Sequence, residues 1–342
     1  MKLRIMDIVH REIIHYASRD LSISSLYNKI FVTRQGQEFV LRLPDHGWRR
    51  ILGFSRLARR ALRLDKCNVV PVGSDLVIIR GGWVYHYFGR TGRLAKTLHL
   101  KHCQNVLHQS ILAVDSDMIV FGEYGNNRGR GSVAIYRSVD GGVTWHTIFE
   151  FPAGKIRHVH GCYWDPYEER IWVFTGDMRN ECHVVCADKD FRNVEWIGDG
   201  HQTYRACAGF FEADAVHWIM DSQMEDCFHI RLDRATRAVA IMAGFPGPVW
   251  YTKRLTDGYY LAATTQERGV SVIDKCAHLF VSGDLHSWED VRQFRHDGLP
   301  KKYFKAGVVA FAEGPQSSDG FYIFGEALRG LDGKAALCKL EF

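Results

Sequence analysis

The chain has 342 residues, 46% of them hydrophobic and 24% charged, with a net charge of +5. That balance reads as globular and soluble, with enough length for a large core or two ordinary domains. The charge is too mild to imply nucleic acid, so no such partner is expected, and no stretch approaches the apolar length of a membrane span.

The N-terminus, M-K-L-R-I-M-D-I-V-H-R-E, lacks the apolar centre of a signal peptide. The nine cysteines include no C-x-x-C pair, and most sit in apolar runs such as H-V-V-C-A and A-L-C-K-L. Both features predict a cytoplasmic protein with reduced core thiols.

In chain order, the first segment, K-L-R-I-M-D-I, reads as a strand without a local partner. I-F-V-T-R-Q-G-Q-E-F at 30–39 then has the shape strand–turn–strand. Residues 45–66 break the pattern. Within them G-W-R-R-I-L-G-F-S-R-L-A-R-R-A-L-R-L, 47–64, predicts one amphipathic helix inserted between blades. Trp48, Ile51, Leu52, Ser55, Ala58 and Leu62 share its apolar face. Arg49, Arg56, Arg59, Arg60 and Arg63 load the rest, which suggests packing on the body of the protein with a solvated basic face, or contact with an anionic membrane surface or a polyanionic glycan.

Beyond the insertion, hairpins recur. V-Y-H-Y-F-G-R-T-G-R at 84–93, S-V-D-G-G-V-T-W at 138–145, H-V-V-C-A-D-K-D-F at 183–191, H-I-R-L-D-R-A-T-R at 229–237 and L-F-V-S-G-D-L-H-S-W at 279–288 all carry turn chemistry between strands. Their spacing of roughly 45–55 residues is the span of a four-stranded propeller blade. Blades are predicted over about 67–100, 107–150, 157–198, 205–242 and 249–294. The last segment, 305–342, supplies only three strands, and the N-terminal strand completes it. The prediction is an all-β, single-domain β-propeller over 1–342, with seven four-stranded blades and six as the fallback. Even hairpin spacing argues against a β-sandwich pair.

S-V-D-G-G-V-T-W resembles the Asp-box, S-x-D-x-G-x-T-W, of the sialidase and BNR-repeat β-propellers, and S-G-D-L-H-S-W at 282–288 is a degenerate copy. Arg42 in L-R-L-P looks like the arginine motif of sialidases. The resemblance implies that the box is a structural staple on the face away from the active site. If these hairpins join the third strand of a blade to the fourth, the remaining loops gather reactive groups at the opposite face.

Those loops hold Glu123, Tyr124, Arg128 and Arg130, then Arg157, His158 and His160, then Asp177, Arg179 and Glu181. Next come His201, Gln202 and Arg205, followed by Asp221 and Glu225. Lys253, Gln266, Glu267, Arg268, Lys301, Lys302, Lys305, Glu326 and Arg329 complete the set.

Three functions fit. The first is sialidase-like hydrolysis or transfer on an acidic glycan, as in surface-polysaccharide metabolism. Asp177 or Glu181 is then the acid/base, Tyr124 beside Glu123 an activated pair, and Asp221 a further carboxylate. Arg128, Arg157, His158, His160, Gln202, Arg205, Lys253 and Glu326 bind substrate. The second is metal-dependent β-elimination, for which His158, His160, His201 and Gln202 resemble the metal site of oligogalacturonate lyase, with Lys253 or Arg254 as base. Without that site no cofactor is expected. The third is a non-catalytic glycan-binding or assembly propeller.

Overall fold

In a computed structural model the described residues are 1–9, 13–45 and 47–342. Strand β1 (Lys2–Val9) opens the chain. The first sheet is β2 (Ile13–Ala17), β3 (Leu21–Leu26), β4 (Lys29–Arg34) and β5 (Gln37–Arg42). The second is β6 (Asn68–Val72), β7 (Asp75–Arg80), β8 (Trp83–Phe88) and β9 (Arg93–His99). The third is β10 (Leu112–Ala113), β11 (Ile119–Gly122), β12 (Val133–Ser138) and β13 (His146–Phe151). The fourth is β14 (His158–Asp165), β15 (Arg170–Gly176), β16 (Cys182–Ala187) and β17 (Val194–Gly200).

The fifth sheet is β18 (Gly209–Phe211), β19 (Ala215–Ile219), β20 (Cys227–Asp233) and β21 (Val239–Phe245). The sixth is β22 (Val249–Arg254), β23 (Tyr260–Thr264), β24 (Cys276–Ser282) and β25 (Glu289–Arg295). The seventh is β26 (Val308–Phe311), β27 (Phe321–Glu326) and β28 (Lys334–Glu341), completed by β1 on the outer side of β28. These are the blades of a seven-bladed, antiparallel β-propeller. The blade boundaries and the loan of the N-terminal strand to the last blade agree with the sequence reading.

The chain gathers into two compact units. One holds Met1–Cys67, Trp250–Arg268 and Val272–Phe342; the other holds Asn68–Val249 and Gly269–Ser271. The packing rule within a blade is visible in the sequence. Second strands such as A-V-H-W-I in β19 and Y-L-A-A-T in β23 are buried throughout, so they read as near-continuous apolar runs. Fourth strands such as E-D-V-R-Q-F-R in β25 expose most of their residues, so charges blunt the outer edge. All nine cysteines are free and eight are buried.

The turn at 138–145 shows why its residues stand where they do. The Asp140 carboxylate accepts from the Val143 and Thr144 amides at 3.1 and 2.9 Å, and from the Thr144 hydroxyl at 2.6 Å. Ser138 Oγ accepts from the Gly142 amide at 2.7 Å. Gly142 has φ 96° and no room for a Cβ, which would lie 2.4 Å from Val77. Trp145 packs edge-on to Phe121. The shortened copy builds the same turn, with Asp284 accepting from the His286 and Ser287 amides at 2.8 and 2.9 Å.

Partial burial pushes Asp140 upward, but its bonds from Thr144, Ser138 and Val143 outweigh that and hold it at about 2. Bonds from the Ser287 and His286 amides bring Asp284 to about 2 as well. Each folded value lies below the unfolded carboxylate value of roughly 3.9, so this stabilisation is complete above pH ~4 and is lost as pH falls through about 2. Asp140→Ala therefore costs about 2 kcal/mol at neutral pH. In urea unfolding, its deficit against wild type shrinks between pH ~4 and ~2.

The insertion corrects two expectations. It forms two short helices, α1 (Trp48–Leu52) and α2 (Arg56–Ala61), not one. The break is at Gly53, where a Cβ would lie 2.3 Å from the Tyr27 ring, while the Tyr27 hydroxyl bonds the Arg49 carbonyl at 2.7 Å. Its faces are also reversed. Trp48, Ile51, Leu52 and Leu62 are exposed, whereas Arg60 is buried and Arg59 nearly so.

Three carboxylates explain the reversal. Arg56 pairs with Asp65 at 3.3 Å and with Asp332 at 3.0 Å. Arg59 pairs with Asp65 at 2.9 Å. Arg60 pairs with Asp297 and donates to the Phe304 carbonyl at the end of α3 (Lys301–Phe304). The inward arginines answer Asp65, Asp297 and Asp332, and turning them outward would strand those carboxylates, Asp65 in a buried position.

A second internal ion pair joins the fourth and fifth sheets. Asp165, fully buried at the end of β14, accepts from Arg234 Nη1 and Nη2 at 2.6 and 2.9 Å. Arg234 lies in the turn after β20.

Candidate metal centre

Three loops and one strand end of the Asn68–Val249 unit meet around Asp177. His158 opens β14. His160 stands at a bulge, because Val159 pairs with Thr175 and Gly161 with Phe174, leaving His160 as the extra residue. A bulge re-aims a side chain without ending the strand. Gly176, the last residue of β15, gives the ring space: a Cβ there would lie 2.6 Å from His160 Cε1. Asp177 follows at once, on the loop between β15 and β16.

The two imidazoles and the carboxylate form a tight triangle. His158 Nε2 lies 3.1 Å from His160 Nε2 and 3.3 Å from Asp177 Oδ1. His160 Nε2 lies 3.1 Å from the same oxygen. The other ring nitrogens are committed: Nδ1 of His158 donates to the Gly125 carbonyl at 2.7 Å, and Nδ1 of His160 to the Ala206 carbonyl at 2.8 Å. A carbonyl oxygen only accepts, so each Nδ1 carries hydrogen and a neutral ring turns an Nε2 lone pair inward. Three acceptors then face one another, an arrangement that a cation at the centre, a proton or a metal ion, relieves.

The dimensions suit a metal ion. Neighbouring ligands on a divalent ion with bonds of about 2.1 Å stand roughly 3.0–3.4 Å apart. Two histidines and one carboxylate on one side of the ion leave further positions open. Backbone carbonyls holding both Nδ1 atoms are the outer support that metal-binding histidines use.

The remaining partners of Asp177 are cationic. Arg157 Nη1 reaches Oδ2 at 2.7 Å, and Arg205 Nη2 reaches Oδ1 at 3.2 Å. Arg157 is itself held by Asn126 through Oδ1 and the backbone oxygen. Arg205 also approaches Asp221 Oδ2 with Nε at 3.3 Å, out of hydrogen-bond alignment. Asp221 and Arg205 are almost fully buried.

Burial opposes the Asp177 charge, but the contacts with His158 and His160 hold the carboxyl well below the usual range. Burial pushes His158 down, against the pull of Asp177. Two carboxylates and two guanidiniums cancel, so a dication here would supply the net positive charge that draws an anionic group.

Of the four expected metal ligands, His158 and His160 lie in the triangle. Gln202 is spent on the Asp177 carbonyl at 3.0 Å, on Cys182 Sγ, and on the Ser222 hydroxyl. His201 is half exposed, caps the short 3-10 turn Gln202–Tyr204, and lies 3.5 Å from Glu225. Asp177 takes the place those two were given.

Glu181 pairs with Arg130 on the edge of the cluster. Glu123 is buried and accepts the Tyr136 hydroxyl at 3.1 Å, while Tyr124 lies against the His158 ring at 4.3 Å. Arg128 is exposed on the same loop. Lys253 and Glu326 belong to the other unit. The Lys253 ammonium donates to the Ala312 and Gly314 carbonyls at 2.8 and 2.9 Å, and Lys305 pairs with Glu326 at 2.6 Å.

Sequence reasoning passed over Cys207, whose thiol donates to Asp221 at 3.4 Å, 3.6 Å from His160 Nδ1. Burial and the Asp221 charge push this thiol far up, so without a bound ion it stays protonated. Its place in an apolar-looking stretch, R-A-C-A-G, gave no signal of that partnership.

Among solved structures the likeness is one of fold. Oligogalacturonate lyase from Vibrio parahaemolyticus superposes with a TM-score of 0.61 at 10% identity, over 97% of this chain and 90% of that one. YCF48 from Cyanidioschyzon merolae gives 0.57 at 11% identity, over 99% of each chain. An extracellular domain of a one-component system from B. thetaiotaomicron gives 0.57 at 10% identity, and this chain spans only 39% of its length. No family model and no curated protein matches the sequence. No helix among the described residues is long and apolar enough to cross a membrane.

Proposed function

We propose that this propeller is a divalent-metal-dependent enzyme that cleaves an acidic glycan by β-elimination. The observation that carries the reading is the triangle of His158 Nε2, His160 Nε2 and Asp177 Oδ1, with both Nδ1 atoms tied to carbonyls. A bound dication would neutralise a uronate carboxylate and acidify the proton alpha to it, which passes to hydroxide as the carbon–carbon double bond forms and the glycosidic oxygen leaves the β-carbon, taking a proton from water. Arg157 and Arg205 hold Asp177 ionised and oriented. Tyr124 covers one side of His158 and is only partly buried, a surface on which a sugar ring can rest.

This reading is preferred to sialidase-like hydrolysis because the acid/base carboxylates named for that chemistry are engaged. Asp177 is kept ionised by four cationic or imidazole partners, so it holds no proton to give a leaving group. Kinship with the Asp-box propellers rests on the turn at 138–145 and its shortened copy at 282–288.

The test is metal analysis of the purified protein followed by an assay on oligogalacturonate. We expect about one divalent ion per chain, and an unsaturated, ultraviolet-absorbing product that disappears with chelator and returns with Mn²⁺. Full turnover of the glycan by metal-free protein, or a saturated product, overturns the reading.

Contact with a membrane surface is also proposed, with its carriers reassigned. Trp48, Ile51, Phe54 and Leu57 are exposed beside Arg50 and Arg63, the combination that settles at an anionic bilayer interface. Co-sedimentation with phosphatidylserine vesicles is expected, and to be lost in Ile51→Ser/Phe54→Ser. Equal pelleting of that variant and wild type removes the proposal.

A further inference from the structure

A cavity of about 430 Å³ in the other unit has a distinct chemistry. Arg268, Lys275, Arg295, Lys301 and Arg329 line it, and no carboxylate does. Arg268 follows β23 by a short loop, Lys275 precedes β24, Arg295 ends β25, Lys301 opens α3, and Arg329 follows β27. Five separate points of the chain thus bring cations to one place. Of the neighbouring acids, Asp297 holds Arg60, Glu326 holds Lys305 and Asp274 lies against His278, which leaves Glu267 alone to offset the charge at Lys301.

Arg268, Lys275, Arg295 and Arg329 form no salt bridge among the described residues. Burial and the charge of Arg268 both push the Lys301 ammonium down, a sign that the group repels itself. A cluster of like charges that folding leaves uncompensated is relieved by a bound anion. Three of the five are arginines, whose planar forks match phosphoryl oxygens in pairs.

A second observation narrows the ligand. Gln266, which lines the same cavity, is buried; its Nε2 donates to the Asp274 carbonyl at 2.9 Å, while its Oε1 has no hydrogen-bond partner among the described residues. A buried amide oxygen of this kind needs a donor, which a phosphate ion at neutral pH supplies poorly and a hydroxyl supplies well. The volume is that of a small-molecule site. One uronate carries a single charge and leaves most of the cluster unanswered. A diphosphate concentrates two or three charges in a small fraction of the space.

We infer that this cavity binds a hydroxyl-bearing small molecule through its diphosphate group, as in a sugar or nucleoside diphosphate. The site is independent of the metal centre and does not rest on the lyase reading.

Isothermal titration with inorganic pyrophosphate, orthophosphate and UDP-glucose tests it on the whole chain. Pyrophosphate is expected to bind at least tenfold more tightly than orthophosphate, with affinity falling as salt rises. UDP-glucose is expected to bind at least as well as pyrophosphate. Arg268→Ala/Arg329→Ala changes two exposed side chains and should weaken both ligands by at least tenfold, whereas Arg90→Ala, on an exposed turn that does not line the cavity, changes neither. Absence of pyrophosphate binding, equal affinity for the two inorganic anions, or unchanged binding in the double variant overturns the inference. Vesicles containing phosphatidic acid form the remaining arm. Capture of vesicles in preference to soluble diphosphate identifies a lipid surface as the ligand and rejects the small molecule.

Discussion

Asp177→Asn abolishes metal retention and lowers turnover of an acidic glycan by at least a thousandfold. Asparagine keeps the shape of the side chain but removes the charge shared by His158, His160, Arg157 and Arg205. A carboxylate ligand contributes both a bond and a neutralising charge, so its neutral isostere loses most of the affinity of a two-histidine site. Arg205 retains Asp221 as a partner, so one of the two guanidiniums keeps a counter-charge.

Thermal unfolding with Mn²⁺ and with chelator provides the check. The ion raises the melting temperature of wild type by mass action and leaves that of the variant unchanged. Circular dichroism of the variant separates loss of the ion from loss of the fold. Wild-type metal content in Asp177→Asn refutes the assignment of this side chain as a ligand.

The second large effect is on stability. Arg234→Ala leaves Asp165 fully buried and without its two guanidinium bonds. Stranding a buried charge costs about 3–5 kcal/mol, far more than the net worth of the intact pair. Urea unfolding should show a midpoint shift of that size with an unchanged slope. Replacing both members, Asp165→Leu with Arg234→Leu, should recover most of the loss, because no charge is then left to desolvate. If the single substitution costs less than 1 kcal/mol, water reaches Asp165.

Much of the fold could be read from residue order. Strand and turn chemistry alternate along the chain, and blades such as the sixth contrast an apolar second strand, β23, with a charged fourth, β25. The short spacing of His158 and His160 likewise put both imidazoles on one side. The bulge at His160 was not legible, because it depends on pairing with Thr175 and Phe174 across the sheet. The third member of the triangle was misassigned for a related reason. Gln202 and His201 lie one loop further along, and only packing decides that Gln202 serves the Asp177 carbonyl while His201 faces outward. The insertion failed in another way. Periodicity locates an apolar stripe on 47–64, but which side turns inward was set by Asp65, Asp297 and Asp332, two of them far away in the chain.

The antiparallel pairing of β1 with β28 has a consequence for biosynthesis. Residues 2–9 leave the ribosome long before their partners at 335–341. Until those partners emerge, the strand has its backbone donors and acceptors open to any neighbouring chain. Lys2, Arg4 and Asp7 interrupt its apolar residues, and such charges are what keep a waiting strand from joining the wrong sheet.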